Sequence, residues 1–210
     1  MNLPSALFLA ITLSLAAVPA GVTAATPAAS EQLQKIDQST WSGQLQLVVT
    51  TYGAASPKTG RRDAGRRTQA TLLFDRPDRF KLVLDPGGKN ERRIAGEGDI
   101  VQWHDLATGL RGKSLAADLV DPTATALLGT VAELTTHAPA KDFPVAKGSP
   151  VLGARLTPAR HGAHATAVNV WMHAGQPAGF AFEMADGGRV FVAVLTFKTN
   201  VALKPSDFEL

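Results

Sequence analysis

The chain has no cysteine among its 210 residues. That absence removes a disulfide framework, a thiol nucleophile and any thiolate metal site. It also removes a bacterial lipoprotein anchor, which needs a cysteine at its cleavage point. Charge is sparse too. Charged residues make up 19% and the formal net charge is +3, so the pI of about 9.4 is a mild bias. Nucleic-acid binders concentrate far more charge beside a recognisable motif, and the sequence has none. It also lacks a Gly-x-Ser-x-Gly elbow, a P-loop and a dinucleotide fingerprint. Five histidines, His104, His137, His161, His164 and His173, are scattered along it. His161 and His164 have ligand-like spacing, but they sit in a Gly/Ala loop without a neighbouring carboxylate. A working zinc site needs three or four ligands and a supporting shell. His104-Asp105 has the composition of half an acid–base pair, yet adjacent strand residues point to opposite faces. The residues therefore argue for a protein that is not an enzyme and needs no cofactor or metal.

What is present is a large apolar fraction. Hydrophobic residues at 45% are enough for the core of one domain of this length. The N-terminus reads as separate from the fold. Leu7 to Val18 is an apolar run of signal-peptide length, and Val22-Thr23-Ala24 fits the small-x-small cleavage rule. No Lys or Arg precedes the run, which makes a weak n-region, but the run is short and broken by Pro4 and Pro19, so a spanning anchor is the weaker reading. The expected division is a signal peptide over 1–24 and one domain over 25–210.

Thr26-Pro27 reads as a helix start, with a short helix to about Thr40 anchored by Leu33 and Ile36. Trp41 to Tyr52 alternates as a strand, with Leu45, Leu47 and Val49 on one face. Ala54 to Arg67 is a loop by composition, carrying Lys58, Arg61, Arg62, Arg66 and Arg67. A solvated hairpin tip is the plain reading of that basic cluster, and contact with anionic headgroups or a partner is the sharper one.

The stretch Ala70 to Leu84 organises the middle of the chain. Two apolar runs flank an Asp75-Arg76-Pro77-Asp78 corner, where proline must break or bend a strand ladder. Beyond it Phe80, Leu82 and Leu84 share one face. Asp85-Pro86-Gly87-Gly88 is a turn, Arg92 to Ala95 a short strand, and Ile100 to Asp105 a strand with Val101 and Trp103 on one face. Asp121-Pro122 opens a helix whose Leu127, Leu128, Val131 and Leu134 form an apolar stripe. From Leu152 onward strands return, over Leu152 to Leu156, Thr166 to Met172, Gly179 to Met184 and, after the Asp186-Gly187-Gly188 turn, Arg189 to Lys198. In the last, Val190, Val192 and Val194 oppose Phe191, Ala193, Leu195 and Phe197. Both faces are apolar, so each needs a cover or a cavity.

The runs Phe74-Asp75-Arg76-Pro77-Asp78-Arg79-Phe80 and Gly98-Asp99-Ile100-Val101-Gln102-Trp103-His104-Asp105, then Leu127-Leu128, resemble the LolA family of outer-membrane lipoprotein carriers. Leu156-Thr157-Pro158, Asp186-Gly187-Gly188 and the closing Asn200 to Phe208 come in the family's order. The resemblance implies a mainly β (α+β) fold, a half-open antiparallel β-barrel around an apolar cavity covered by short helices. It implies a periplasmic monomer that takes acyl chains of lipoproteins or lipids from an inner-membrane transporter to an outer-membrane acceptor. It places Arg76 as the side chain that holds a helical lid, with Leu127, Leu128 and Val131 on that lid. It places Leu47, Phe74, Phe80, Leu82, Val101, Trp103, Phe180, Phe182 and Val192 against the cargo. Without the resemblance, Arg76 reads as a strand-end arginine paired with Asp75 or Asp78.

Three features depart from the family pattern. Asp75 stands where a basic residue is common, His104-Asp105 where an aromatic-Asn/Asp pair is usual, and the basic loop is extended. They bear on cargo and docking more than on fold. A lipid-sensing binding module without transfer activity is one alternative function, and a small secreted hydrolase is another.

Overall fold

The computed structural model describes residues 28–115, 141–157 and 165–210. The leader, the Leu127, Leu128, Val131 and Leu134 stripe, His137, and the His161/His164 pair lie outside the described residues. Helix α1 (Ala29–Ser39) is followed by β1 (Ser42–Tyr52), β2 (Arg66–Asp75), β3 (Arg79–Leu84), β4 (Arg92–Glu97), β5 (Ile100–Asp105) and β6 (Arg111–Leu115). Then come β7 (Lys141–Phe143), β8 (Val151–Leu156), β9 (Ala165–His173), β10 (Gln176–Met184) and β11 (Arg189–Thr199), and a 3-10 turn over Pro205–Phe208. The strands form one sheet in the order β6-β5-β4-β3-β2-β1-β11-β10-β9-β8-β7, antiparallel throughout. β6 and β7 end the sheet without pairing to each other, so it is open rather than closed.

Alternation decides which side is the core. Leu45, Leu47 and Val49 on β1, Ala70, Leu72 and Phe74 on β2, and Phe80, Leu82 and Leu84 on β3 are all buried on one side. Val168, Val170 and Met172 on β9 join them, as do Phe180, Phe182 and Met184 on β10. α1 lies on the same side against β7–β10, inserting Ala29, Leu33 and Ile36. The Asp-Arg-Pro-Asp corner does separate two strands, and its Arg76–Pro77 peptide is cis.

The described helix α1 begins at Ala29, after an Ala28 that makes no side-chain cap, and Thr26 and Pro27 lie outside the described residues. Its early donors are met from across the fold instead: Asp142 on β7 accepts the Ser30 N–H at 3.0 Å and the Ser30 hydroxyl at 3.1 Å. A carboxylate at a helix N-terminus satisfies orphan donors and complements the helix dipole. Three details differ from the sequence reading. The basic loop is shorter than its composition suggests, because Arg66 and Arg67 already belong to β2.

The other two differences concern β11. Leu47 pairs with Val194 and Gln46 with Thr196, so Leu195 is an extra residue in the ladder. A bulge of one residue flips everything beyond it to the other face. Phe197 therefore turns inward opposite Leu45, with Val192, and not outward with Phe191. The outer face of β11 is also uncovered, with Phe191 37% and Leu195 60% exposed. β6 and β7 are short, charged strands at the two edges. Such edges resist pairing with other chains.

Candidate functional site

The inner face of the sheet is built in rungs. One runs Phe197, Leu45, Leu72, Leu82, Ile94 and Trp103 across six strands, from β11 through β1 to β5. A second runs Gly43, Phe74, Phe80, Gly96 and Val101. Beyond β1 the rung Val49, Val192, Phe180, Val170 and Ala154 continues the lining, with Val190, Phe182, Val168 and Leu156 beside it. Each rung is a set of cross-strand neighbours about 5 Å apart, close enough for their side chains to form one surface.

Three aromatics on this surface lie flat because their cross-strand partners are glycines. Phe74 faces Gly43, Phe80 faces Gly96 and Trp103 faces Gly112, and each ring occupies the space a Cβ would take on that glycine. The rings therefore pave the face instead of standing up from it. The guanidinium of Arg92 stacks over Trp103 at 5.5 Å, and Ser114 sits opposite Val101, so the β4–β6 margin is the polar edge of an apolar lining.

Of the residues that the resemblance set against cargo, Leu47, Phe74, Phe80, Leu82, Val101, Phe180, Phe182 and Val192 all belong to this one buried cluster. Trp103 is half-buried and packs against it. The structure brings them together on the inner face.

Arg76 sits where β2 ends. Its backbone N–H donates to the Trp41 carbonyl at 2.8 Å, which fixes the corner against the start of β1. Its side chain reaches α1: Nη1 donates to the Asp37 carbonyl at 2.5 Å and Nη2 meets the Asp37 carboxylate at 2.7 Å. Both side chains are largely buried, at 10% and 16% exposure. A cation at the C-terminal turn of a helix meets carbonyls that have no partner within the helix. Asn200 completes the attachment, accepting the Trp41 N–H at 2.9 Å and donating to the Ser39 carbonyl at 3.0 Å. Arg76 thus holds a helix, and the described helix it holds is α1. The plain alternative does not hold, because Asp75 pairs with Arg79 and the carboxylate that meets Arg76 is that of Asp37.

His104 and Asp105 point apart, as neighbours on a strand must. His104 lies between Arg93 and Arg111 in register, while the Asp105 carboxylate accepts the Thr108 N–H at 3.1 Å and closes the turn after β5. Among the described residues no group of three or more His, Asp and Glu is arranged to hold a metal. An open groove of about 890 Å³ lies on the outer side, between β3–β6 and the closing segment, lined by Arg79, Gln102, His104, Lys113 and Phe208 among others. Arg79 stacks over Phe208 at 5.4 Å and so holds that segment on the sheet.

Among solved structures, the chain superimposes on a LolA superfamily protein of Nitrosomonas europaea with a TM-score of 0.51. The two are 12% identical over 88% of this chain and 99% of that one. The fold is LolA-like. A domain named for outer-membrane lipoprotein sorting from Vibrio parahaemolyticus matches at 11% identity over 85% and 94% of the two chains, with a TM-score of 0.47. A DUF1329 family protein of Desulfovibrio piger matches at 9% over 86% and 95%, with a TM-score of 0.48. No protein-family model matches the sequence, and no curated protein is similar to it. The LolA-like sheet agrees with the resemblance carried by the Asp-Arg-Pro-Asp corner and the Gly98 to Asp105 strand. Among the described residues no helix is long and apolar enough to cross a membrane.

Proposed function

We propose that this protein is a periplasmic carrier that buries acyl chains of lipoproteins or lipids against the inner face of its sheet and moves them between membranes. The observation that carries the reading is the uninterrupted apolar lining of an open sheet, with a helix laid across part of it. Each methylene moved from water to such a surface gains about 0.8 kcal/mol. Since β6 and β7 are not bonded to each other, the sheet can widen without breaking a ladder hydrogen bond. The lining is packed in this structure, so cargo must displace what lies on it.

α1 is suited to move. It presents only Ala29, Leu33 and Ile36 to the core, and its ends are held by a few polar contacts, Ser30 to Asp142 and Asp37 to Arg76. Arg76 is the latch in this reading. The stripe of Leu127, Leu128 and Val131, outside the described residues, lies in sequence between the two edge strands. The protein acts as a monomer, receives cargo from an inner-membrane transporter, delivers it to an outer-membrane acceptor, and performs no chemistry. Export with cleavage near Ala24 brings it to that compartment.

Native mass spectrometry of the full chain purified from a periplasmic extract tests this, together with titration by a fluorescent fatty acid. Co-purifying acylated peptide or lipid, or saturable binding of the probe displaced by lipoprotein, supports the carrier. A clean mass combined with no probe binding rejects it, and hydrolysis of a fluorogenic ester of the same acid would point to the hydrolase instead.

A further inference from the structure

The loop between β1 and β2 is not a loose tip. Ser56 donates to the Arg61 carbonyl and Gly60 to the Ser56 carbonyl, each at 2.8 Å, closing the turn on itself. Arg62 then spans to two carbonyls, Gly53 at 2.7 Å and Gly187 at 2.6 Å, and pins the loop to the turn between β10 and β11. The remaining cations, Lys58, Arg61, Arg66 and Arg67, are exposed, and none makes an ion pair among the described residues. Arg189 adds a further exposed charge at the same rim, opposite Tyr52. Against these stand Asp63 in the loop, Glu183, which is the cross-strand partner of Arg189 and bridges to Arg155 at 2.8 Å, and Asp186, whose carboxylate accepts the Gly188 N–H at 2.7 Å.

An aromatic pair stands among the cations. Tyr52 lies across Gly65 and meets Phe191 edge to face at 5.7 Å. Phe191 is in the rung of Thr50, whose other neighbour is Arg67. The same end of the strands bears the turn after β5, where Leu106 and Leu110 are exposed. At the opposite end the exposed charges are mixed, with Asp78, Glu97 and Asp99 beside the corner and Lys198 and Lys204 near the closing segment.

We infer that this basic, aromatic rim is a docking surface for an anionic lipid bilayer. Unpaired arginines and a lysine beside an exposed phenylalanine and a half-buried tyrosine are the chemistry of a headgroup layer, where charge meets phosphate and amphipathic rings settle at the interface. An acidic protein would match the charge but gives no reason for Phe191 to face water among the cations. The surface deepens the carrier reading, on which its purpose rests, by naming the membrane plane against which cargo is exchanged. Its existence as a binding surface depends only on the rim.

Vesicle co-sedimentation tests it, using the full mature chain, vesicles of phosphatidylcholine alone, and vesicles containing phosphatidylglycerol as well. Binding is expected only to the anionic vesicles and is expected to fall as salt rises. Each cation near the surface contributes about fivefold, so replacing Lys58, Arg61, Arg66 and Arg67 together by glutamine should weaken binding at least about 100-fold. Phe191→Ser should weaken it without changing the salt dependence. No binding, equal binding to neutral vesicles, or an unchanged quadruple variant would overturn the inference, as would equally strong binding to soluble polyglutamate, which would make the partner an acidic protein. Fatty-acid probe binding in solution, measured on the same variants, separates the two readings. The rim is wrong if only vesicle binding fails to appear, and the carrier is wrong if only the probe fails to bind.

Discussion

Replacing Arg76 by leucine tests the latch directly. The guanidinium makes two charge-assisted contacts with Asp37 in a nearly dry setting, with the two side chains 10% and 16% exposed. Hydrogen bonds to charged groups contribute about 1.5–3 kcal/mol each, and removing one partner of a buried pair costs about 3–5 kcal/mol because the other charge stays buried. Some solvent still reaches Asp37, so we expect Arg76→Leu to destabilise the empty protein by about 2–4 kcal/mol in urea titration. Asp37→Asn keeps the backbone carbonyl contact and should cost less. In the double variant the two losses should overlap by about 1–3 kcal/mol, the coupling expected of residues in contact. The functional consequence has the opposite sign. If α1 must leave Arg76 before cargo enters, losing about 2 kcal/mol of closed-state stabilisation raises affinity for a fatty-acid probe by about 30-fold and slows its release. Destabilisation with unchanged probe affinity would refute the latch and leave Arg76 a purely structural tie. A coupling near zero would refute the pair itself.

Three further outcomes rest on single features. A Cβ on Gly96 overlaps the Phe80 ring, so Gly96→Val should lift the ring off the sheet. The cost is about 1–3 kcal/mol by thermal melting, together with reduced probe binding. With Trp41 and Trp171 replaced by phenylalanine, the emission of Trp103 should shift to shorter wavelength when the probe binds, and a constant spectrum would place cargo elsewhere. Glu91 is buried, and its carboxyl is held below the ordinary value of 4.5, first by the Gly87 N–H and then by Arg93, which donates at 2.7 Å. A carboxyl with a lower pKa folded than unfolded leaves the unfolded chain binding more protons, so stability rises with pH across that window. The contribution of Glu91 is in place above about pH 4.5 and is lost as pH falls through the depressed value. Glu91→Gln should therefore be less stable than the parent at neutral pH and converge with it in acid, as read by urea titration.

Strands with one wet face are legible in the sequence because alternation alone places them. Leu45, Leu47 and Val49 come out on one side, as do Phe80, Leu82 and Leu84. What alternation cannot contain is register. The bulge at Leu195 exists only relative to β1, so parity assigns Phe197 to the wrong face. β6 and β7 are hidden for another reason: Arg-Gly-Lys-Ser-Leu and Lys-Asp-Phe have the polar composition of an edge, which mimics a loop. The site is legible in its lining and not in its ties. Phe80, Trp103 and Phe182 are visible as apolar strand positions, and all nine lining positions fall on one surface. The partner of Arg76 lies 39 positions away on a helix, and that of Ser30 lies 112 away on an edge strand. No local pattern announces either.

The latch and the basic rim occupy opposite ends of the same strands. β1 and β2 join them directly, since Arg76 comes just after the last residue of β2 and Arg66 is its first. Ten residues of strand span about 33 Å, while charges are screened within about 8 Å at physiological salt. A membrane at the rim therefore cannot loosen the Arg76–Asp37 pair through its field. If docking favours opening, the signal must pass as a change in the twist of β1 and β2, which carry the rim at one end and hold α1 at the other. This separates two effects that one salt titration would otherwise merge. Raising salt should abolish vesicle binding while leaving the effect of Arg76→Leu on probe release nearly intact, because the pair is mostly shielded from solvent. A rim variant that alters probe affinity without vesicles would show the opposite, that the two ends are already coupled through the sheet.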